Sequence, residues 1–471
     1  MLQRLQRRFV GLYVALLHSE RSPKTRTQDW LAARTGVAQV VLGTRLAVFT
    51  PMPKLQLVIV DEEHVISFKQ QDRLRYSARD VAVWRGWKWG CPVILGTATP
   101  ALETLHNALT GRYTHLKLSQ RTGVAGSPKL NLIDTRNVPV QGGLTPALIK
   151  LLRDNIAFGH QSLLLLNRRG YAPVVMCYAC GWIAGCDHCD ARLTLHAGAN
   201  ELWCHHCGHK LPYPVCCPKC SSHKLKSVGQ GTQRLEQTLA KLFGDVGIVR
   251  IDSDSTRGSG SLDSILKDAA TGKYAILLGT QMLAKGHHLP GITLVGIIDV
   301  DQGLYGSDFR ASERMAQLII QAAGRAGRVS IPGQMVLQTR NPDHPLLQTL
   351  IRHGYTAFAN LALQEREQAT LPPFTALALL RAEATTLDLA DEFLKQARNL
   401  AVVSAPNIEF WGPAPAAMVK RAGYHRSNLL MQALSRKTLQ TFLRNFAAIL
   451  RSLPASSKIR WALDVDPQEV S

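Results

Sequence analysis

The sequence lacks what a membrane-spanning chain would need. Its longest apolar runs, such as residues 10–17, VGLYVALL, stop far short of the roughly 20 residues that a spanning helix requires. That run follows the basic stretch QRLQRRF, as a signal core would, but only HSERSPKTR comes after it, with no small-residue cleavage site. A helix end feeding a buried strand is expected there, in a cytoplasmic chain. Acidic residues are also scarce: 34 Asp and Glu face 55 Lys and Arg, a formal net charge of +21. This excludes an acidic, solvating chain and favours a polyanionic partner, because each phosphate neutralised releases condensed counterions. No segment is poor in apolar residues, which make up 46% of the chain, so disorder is not expected. Finally, no G-x4-G-K-[ST] string exists, the loop whose backbone N–H groups and lysine hold nucleotide phosphates. Gly272-Lys273 is followed by Tyr274, and Lys24-Thr25 is preceded by Ser22-Pro23.

What is present is a sequence of 471 residues, room for about three domains. Short runs rich in Val, Ile and Leu at 38–44, 55–61 and 91–97 alternate with helical spacing, as in a doubly wound α/β lobe over 1–118. A polar connector is expected at 119–143. A second α/β lobe runs over 144–350, with strands at 162–167, 247–252, 275–280 and 292–299, and a cysteine-rich insert at 177–220 splits it. Three predicted strands end in Gly-Thr, at 43–44, 96–97 and 279–280, where open α/β sheets bind ligands. The region 351–471 reads βαββαβ from 373 onward, the ferredoxin-like α+β order.

Asp61-Glu62-Glu63-His64 follows directly on the apolar strand LQLVIV. An acidic pair at a strand tip suits Mg²⁺ binding by Asp61 and activation of the attacking water by Glu62. Gly96-Thr97-Ala98-Thr99-Pro100 resembles the coupling motif of superfamily-two helicases. Gln321-Ala-Ala-Gly-Arg325-Ala-Gly-Arg328 resembles their sixth motif, in which the Gln contacts nucleotide and the arginines reach the γ-phosphate. Two lobes with these motifs amount to a tandem RecA-like motor, the first lobe incomplete.

Ten cysteines are present, and eight of them form four C-x2-C pairs: Cys177/Cys180, Cys186/Cys189, Cys204/Cys207 and Cys217/Cys220. Eight thiolates at this spacing make two closed, structural Zn²⁺ sites. Nesting puts the outer pairs on one ion and the inner pairs on the other, although sequential pairing also satisfies the spacing. Cys216 is left over, and His188, His205 and His206 are assigned to the surface.

DEEH, KQQ at 69–71, YSARD at 76–80, GTATPALETL, LNRRG at 166–170, the insert beginning CYACGWIAGC, GTQMLAKGHH at 279–288 and QAAGRAGR together resemble the primosomal protein N′ (PriA) family. LPPF at 371–374 and DVDP at 464–467 extend the resemblance over almost the whole chain. It implies an ATP- and Mg²⁺-dependent 3′-to-5′ DNA helicase. Such a helicase recognises stalled forks and promotes primosome assembly, with primosome proteins and single-strand-binding protein as partners. By the same resemblance His64 couples nucleotide state to DNA. The segment after DEEH matches an aromatic-rich loop that senses single strands by stacking and charge, here through Phe68, Arg73, Arg75 and Tyr76. Leu74 stands where a Trp is expected, which weakens that stack. Thr44, Arg45, Thr280 and Gln281 would face the DNA backbone, and the terminal region would bind DNA structure and partner proteins.

The missing phosphate loop departs from the family, as does the lack of its N-terminal fork-binding and winged-helix domains. Three readings are compatible with this. The gene product is longer and Met1 is internal; the chain is a zinc-bearing, DNA-binding primosome scaffold without a motor; or a loop of another kind holds the phosphates.

Overall fold

The computed structural model describes the chain apart from residues 1, 20, 119–127, 167–174, 188–191, 197–199, 205–207, 228–231, 252–260, 280–288, 290, 307, 328–332, 454–457 and 471. It divides into two compact units, residues 1–104 and 105–471.

In the first unit the helix Leu2–Arg8 leads into β1 (Val14–Leu17), as the run at 10–17 suggested. Strands β2 (Val40–Gly43), β3 (Val58–Asp61) and β4 (Val93–Gly96) follow. Among the described residues they form two parallel ladders, β1 with β2 and β3 with β4, rather than one doubly wound sheet. The Val/Ile pattern reads as buried on both faces, yet Ile59 is 62% exposed and Ile94 47% exposed. The other face of the second ladder is covered by the helix Ala78–Trp89. Its Ala82 and Gly86 are buried, and a Cβ on Gly86 would collide with Val93. Ser77 caps this helix by accepting the Asp80 N–H, and Gly90 ends it in the left-handed region.

The second unit is built on six parallel strands. These are β5 (Lys129–Asp134), β6 (Gln161–Leu165), β12 (Ile248–Ile251), β13 (Ile276–Gly279), β14 (Ile292–Ile297) and β15 (Gln334–Thr339), in the order β12-β13-β6-β14-β15-β5. All of β6, β13 and β14 is buried, as central parallel strands require. The edge strand β5 lies inside the stretch expected to be a connector. Its alternation, Lys-Leu-Asn-Leu-Ile-Asp, is that of an edge strand, and it pairs with β15 from Lys129 to Asp134. Buried Gln338 ties the connector down. It accepts from the Thr145 N–H and hydroxyl at 2.9 and 2.8 Å, and donates to the carbonyls of Gly143 and Ile298.

Between β6 and β12 lie the small strands β7 (Val175–Cys177), β8 (Thr194–His196), β9 (Glu201–Trp203), β10 (Lys210–Pro212) and β11 (Leu225–Ser227). Strand β7 pairs antiparallel with β11, and β8-β9-β10 form a meander. Beyond the helix Pro345–Gln368, which runs through the boundary expected at 350, come β16 (Ala376–Ala384), β17 (Glu409–Arg421), β18 (Tyr424–Ala433) and β19 (Arg460–Val465). They make an antiparallel sheet in the order β17-β18-β16-β19, the ferredoxin-like arrangement. The helices Leu387–Ser404 and Arg436–Ser452 share one core with it through Phe393, Leu394, Leu443 and Phe446. No helix among the described residues is long and apolar enough to cross a membrane.

Candidate functional site

Asp61 closes β3 and pairs in register with Gly96, the last residue of β4, so the acidic tetrad and the Gly96–Pro100 segment leave the same ladder edge side by side. The Glu63 N–H donates to the Gly96 carbonyl at 3.2 Å. His64 Nδ1 lies 2.8 Å from Thr97 Oγ1, which also accepts the Thr99 N–H at 3.0 Å. Glu62 is exposed with φ 52, a left-handed conformation that is costly for a non-glycine residue and tends to mark functional turns.

The buried member of the tetrad is Glu63, a residue the sequence left without a role. Its carboxylate accepts from the Ala101 N–H at 2.7 Å, the Thr104 hydroxyl at 2.8 Å and Arg79 Nη1 at 3.2 Å. Burial pushes its pKa up against the pull of Arg79. Arg79 belongs to the YSARD segment, so one ion pair joins the tetrad to the stretch expected to sense DNA.

Within that stretch Phe68 and Arg75 are half-buried and Arg73 is exposed. The loop is closed by the Lys69–Ser77 bridge and by the Gln70 N–H donating to the Tyr76 carbonyl at 2.8 Å. Tyr76 packs edge-to-face on Phe49, with centroids 4.7 Å apart. Arg45, expected at the DNA backbone, donates Nη1 to the carbonyls of Ser67 and Lys69 and so holds this loop. Exposed Thr44 follows β2. Beside it a cavity of about 390 Å³ opens at the C-terminal ends of β1 and β2, lined by His18, Arg26, Trp30, Thr44 and Arg45 among others. His18, Arg26 and Trp30 were not singled out from the sequence, because nothing in their spacing marks them.

In the second unit Gln321 lies near the end of the helix Ala311–Ala323, and Arg325 follows its Gly324 cap. Arg328, Thr280 and Gln281 lie outside the described residues. Two carboxylates after β14 form a further cluster. Asp301 is buried and accepts from the Thr339 hydroxyl at 2.5 Å, the Arg340 N–H at 2.8 Å and Asn341 Nδ2 at 3.4 Å. Asp299 keeps some accessible edge but is surrounded by protein. Desolvation, followed by the charge of Asp301, pushes its carboxyl up to about 7 from 3.8. Between those values the folded chain holds a proton that the unfolded chain has lost, so stability falls as pH rises through the window. Asp299→Asn is expected to flatten the fall in thermal midpoint between pH 5 and pH 8; a slope equal to wild type would contradict this.

Cys177, Cys180, Cys217 and Cys220 bring their sulfurs within 4.8 Å of one another. The Cys177–Cys220 and Cys180–Cys217 separations are 3.6 and 3.7 Å. Four sulfurs about 2.3 Å from a tetrahedral ion stand roughly 3.8 Å apart, so this set fits Zn²⁺. Nested pairing of the outer motifs is thus the arrangement found. The turn is the same at both halves: the Cys177 N–H donates to the Trp182 carbonyl and the Gly181 N–H to the Cys177 carbonyl. Cys217 repeats it with Ser222 and Ser221. Cys204 repeats it again with His209 and Gly208, at 2.8 and 2.9 Å. The fifth residue of each turn has positive φ: Gly181 at 77°, Gly208 at 82° and Ser221 at 56°. Cys186 is half-buried; Cys189 and Cys207 lie outside the described residues.

Three family models match the chain: "PriA DNA helicase Cys-rich region (CRR) domain" over residues 186–212, "Helicase conserved C-terminal domain" over 221–330, and "Primosomal protein N C-terminal domain" over 367–468. The chain is similar to Replication restart protein PriA of Haemophilus influenzae, with 46% identity over 470 residues, 100% of this chain and 64% of that protein. It is 35% identical over 470 residues to the protein of that name from Treponema pallidum, 100% of this chain and 70% of the other. It is 39% identical over 383 residues to the one from Bacillus subtilis, 81% of this chain and 48% of the other. The chain therefore spans between 48% and 70% of the length of these relatives.

Proposed function

The chain belongs to the PriA family of replication restart proteins, and we propose that it works as an ATP-driven, 3′-to-5′ DNA helicase that acts at stalled forks and promotes primosome assembly. The observation that carries this is the joining of the tetrad to the Gly96–Pro100 segment through His64 and Thr97, 2.8 Å apart. Asp61 and Glu62 stand at the strand tip where nucleotide chemistry is done in such sheets. Mg²⁺ on Asp61 would neutralise charge on the phosphates of ATP. Glu62 orients and deprotonates the attacking water. Gln321, Arg325 and Arg328 contact the nucleotide, the arginines by planar, permanently charged donors. His64, touching Thr97, passes the nucleotide state on to the rest of the first unit.

Single-stranded and forked DNA are the polymeric substrates, in line with the net charge of +21. In the first unit the strand contacts Thr44 and the loop of Phe68, Arg73, Arg75 and Tyr76; by the family resemblance Thr280 and Gln281 of the second unit would contact the DNA backbone as well. Arg45 serves this path by holding the loop. A second Zn²⁺ is held by Cys186, Cys189, Cys204 and Cys207, a reading that rests on the repeated turn at Cys204. Primosome proteins and single-strand-binding protein are the partners, and the compartment is the cytoplasm, where thiolates stay reduced.

The test is ATP hydrolysis with and without single-stranded DNA, beside Glu62→Gln. Hydrolysis stimulated by DNA should fall in the variant by roughly 10²–10⁴, the scale of general-base catalysis, with single-strand affinity unchanged. A wild type that binds DNA without hydrolysing ATP would overturn a motor held within these 471 residues and leave the scaffold and the longer gene product as the readings, and a variant as active as wild type would overturn the role of Glu62.

A further inference from the structure

The zinc region rests on the second lobe through one of its own metal turns. Tyr178 lies between the ligands Cys177 and Cys180, and its N–H donates to the Lys224 carbonyl at 2.7 Å. Its carbonyl accepts from Arg340 Nη1 at 3.2 Å, while the same guanidinium lies 3.4 Å from the centre of its ring. Arg340 follows β15 directly. Its own N–H is fixed on the buried carboxylate of Asp301, which begins the short helix after β14. In the next turn position, a Cβ on Gly181 would stand 3.3 Å from Asn341 Oδ1, so the backbone of the metal turn lies close against the residue after Arg340.

A second strut joins the same two parts. Arg192 of the zinc region lies over the ring of Tyr305, 5.5 Å from its centre, and Met176 and Ile183 pack on the same ring. Tyr305 ends the short helix that Asp301 begins. Both struts therefore stand on Asp301 and its neighbours, at the carboxyl edge of β14 and β15. The chain continues from there to the helix that carries Gln321.

We propose that Arg340 is the positioning residue that locks the zinc region onto the second lobe, so that movement of the lobe is transmitted to the zinc region as a rigid-body displacement. A guanidinium suits the task because it stacks on a ring with its face and donates from its edge at once, which an ammonium cannot do. The motor half of this claim rests on the helicase reading above; the locking half does not.

The test uses the full chain as wild type, Arg340→Ala and Arg340→Lys. Three quantities are read: zinc per chain, amide hydrogen exchange over residues 175–187 and 209–227, and DNA strand separation per ATP hydrolysed. Both variants should keep their zinc and hydrolyse ATP at close to the wild-type rate. Exchange in those segments should quicken about tenfold or more, as expected when a local unit is unlatched. Strand separation per ATP should fall by a similar factor, with Lys no better than Ala because it keeps the charge and loses the plane. Unchanged exchange in both variants would overturn the lock. Faster exchange with unchanged coupling would overturn transmission, and loss of zinc in both would make Arg340 a folding residue instead. A wild type without ATP hydrolysis would remove the helicase reading and transmission together, leaving exchange to decide the lock alone.

Discussion

Cys217→Ser is expected to lose about one zinc per chain and to unfold the turns at Cys177–Gly181 and Cys217–Ser222, while the second ion and the C-terminal domain stay in place. Among the described residues the apolar cluster of that region is small, and Cys177, Cys204 and Cys217 are themselves among its eight buried members, beside Val175, Leu202 and Leu225. A core of that size does not offset the conformational entropy of the loops around it, so the metal supplies the difference. Structural zinc in small domains contributes about 10–16 kcal/mol of apparent binding energy near neutral pH, coupled directly to folding. A hydroxyl in place of the Cys217 thiolate leaves three good ligands around an ion that needs four. Zinc content together with the fluorescence of Trp182 and Trp203 reports both effects. Full zinc content in the variant would contradict the site. Cys204→Ser makes the matching test of the second ion: it should lose one zinc and leave the first.

Arg79→Ala should lower the stability of the first unit by about 3–5 kcal/mol, the usual loss when one partner of a buried ion pair is removed. The side chain of Glu63 is fully buried and that of Arg79 is 17% exposed. Without the guanidinium, the carboxylate keeps the Thr104 hydroxyl and the Ala101 N–H but has no compensating charge. Removing both partners with similar volume, as in Arg79→Met with Glu63→Leu, should cost less than Arg79→Ala alone. Urea unfolding followed by signals of the first unit measures both. A loss below about 1 kcal/mol for Arg79→Ala would place the pair with ordinary surface ion pairs. Because Arg79 sits three residues beyond Tyr76, the same variant is expected to reduce the response of ATP hydrolysis to DNA.

Much of this was legible in the sequence, for reasons that differ from part to part. The tail could be read because short apolar runs such as ALALL and NLLM stand out between helices that carry Thr386 and Ser435 as caps. The metal turns could be read because C-x2-C is a spacing that geometry imposes. Their pairing could not, since spacing alone is satisfied by nested and sequential sets; the 3.6 and 3.7 Å sulfur separations decide it for the outer pairs. The residue after each pair, Gly181, Gly208 or Ser221, meets the turn's need for positive φ, which the C-x2-C spacing itself does not express.

Other features depend on contacts between distant residues. Glu63 reads as one more solvated acid until Ala101, Thr104 and Arg79 are seen around it. Arg45 reads as a DNA contact, and nothing local in the sequence tells that its guanidinium also holds the carbonyls of Ser67 and Lys69. Strand β5 was hidden because its three polar positions, Lys129, Asn131 and Asp134, look like a connector when its partner β15, some 200 residues away, is not in view. The clustering of Asp299, Asp301, Arg340 and Tyr178 joins three separate segments and has no local pattern at all.

The central claim, a DNA motor of the PriA family, is tested most directly by strand separation on a fork. The assay uses a labelled forked duplex, ATP and Mg²⁺, with linear duplexes bearing a 3′ or a 5′ single-stranded tail beside it. The account predicts displacement of the fork strand with 3′-to-5′ polarity, lost with Glu62→Gln. Tight binding to the fork with no displacement, or displacement that Glu62→Gln leaves untouched, would contradict it.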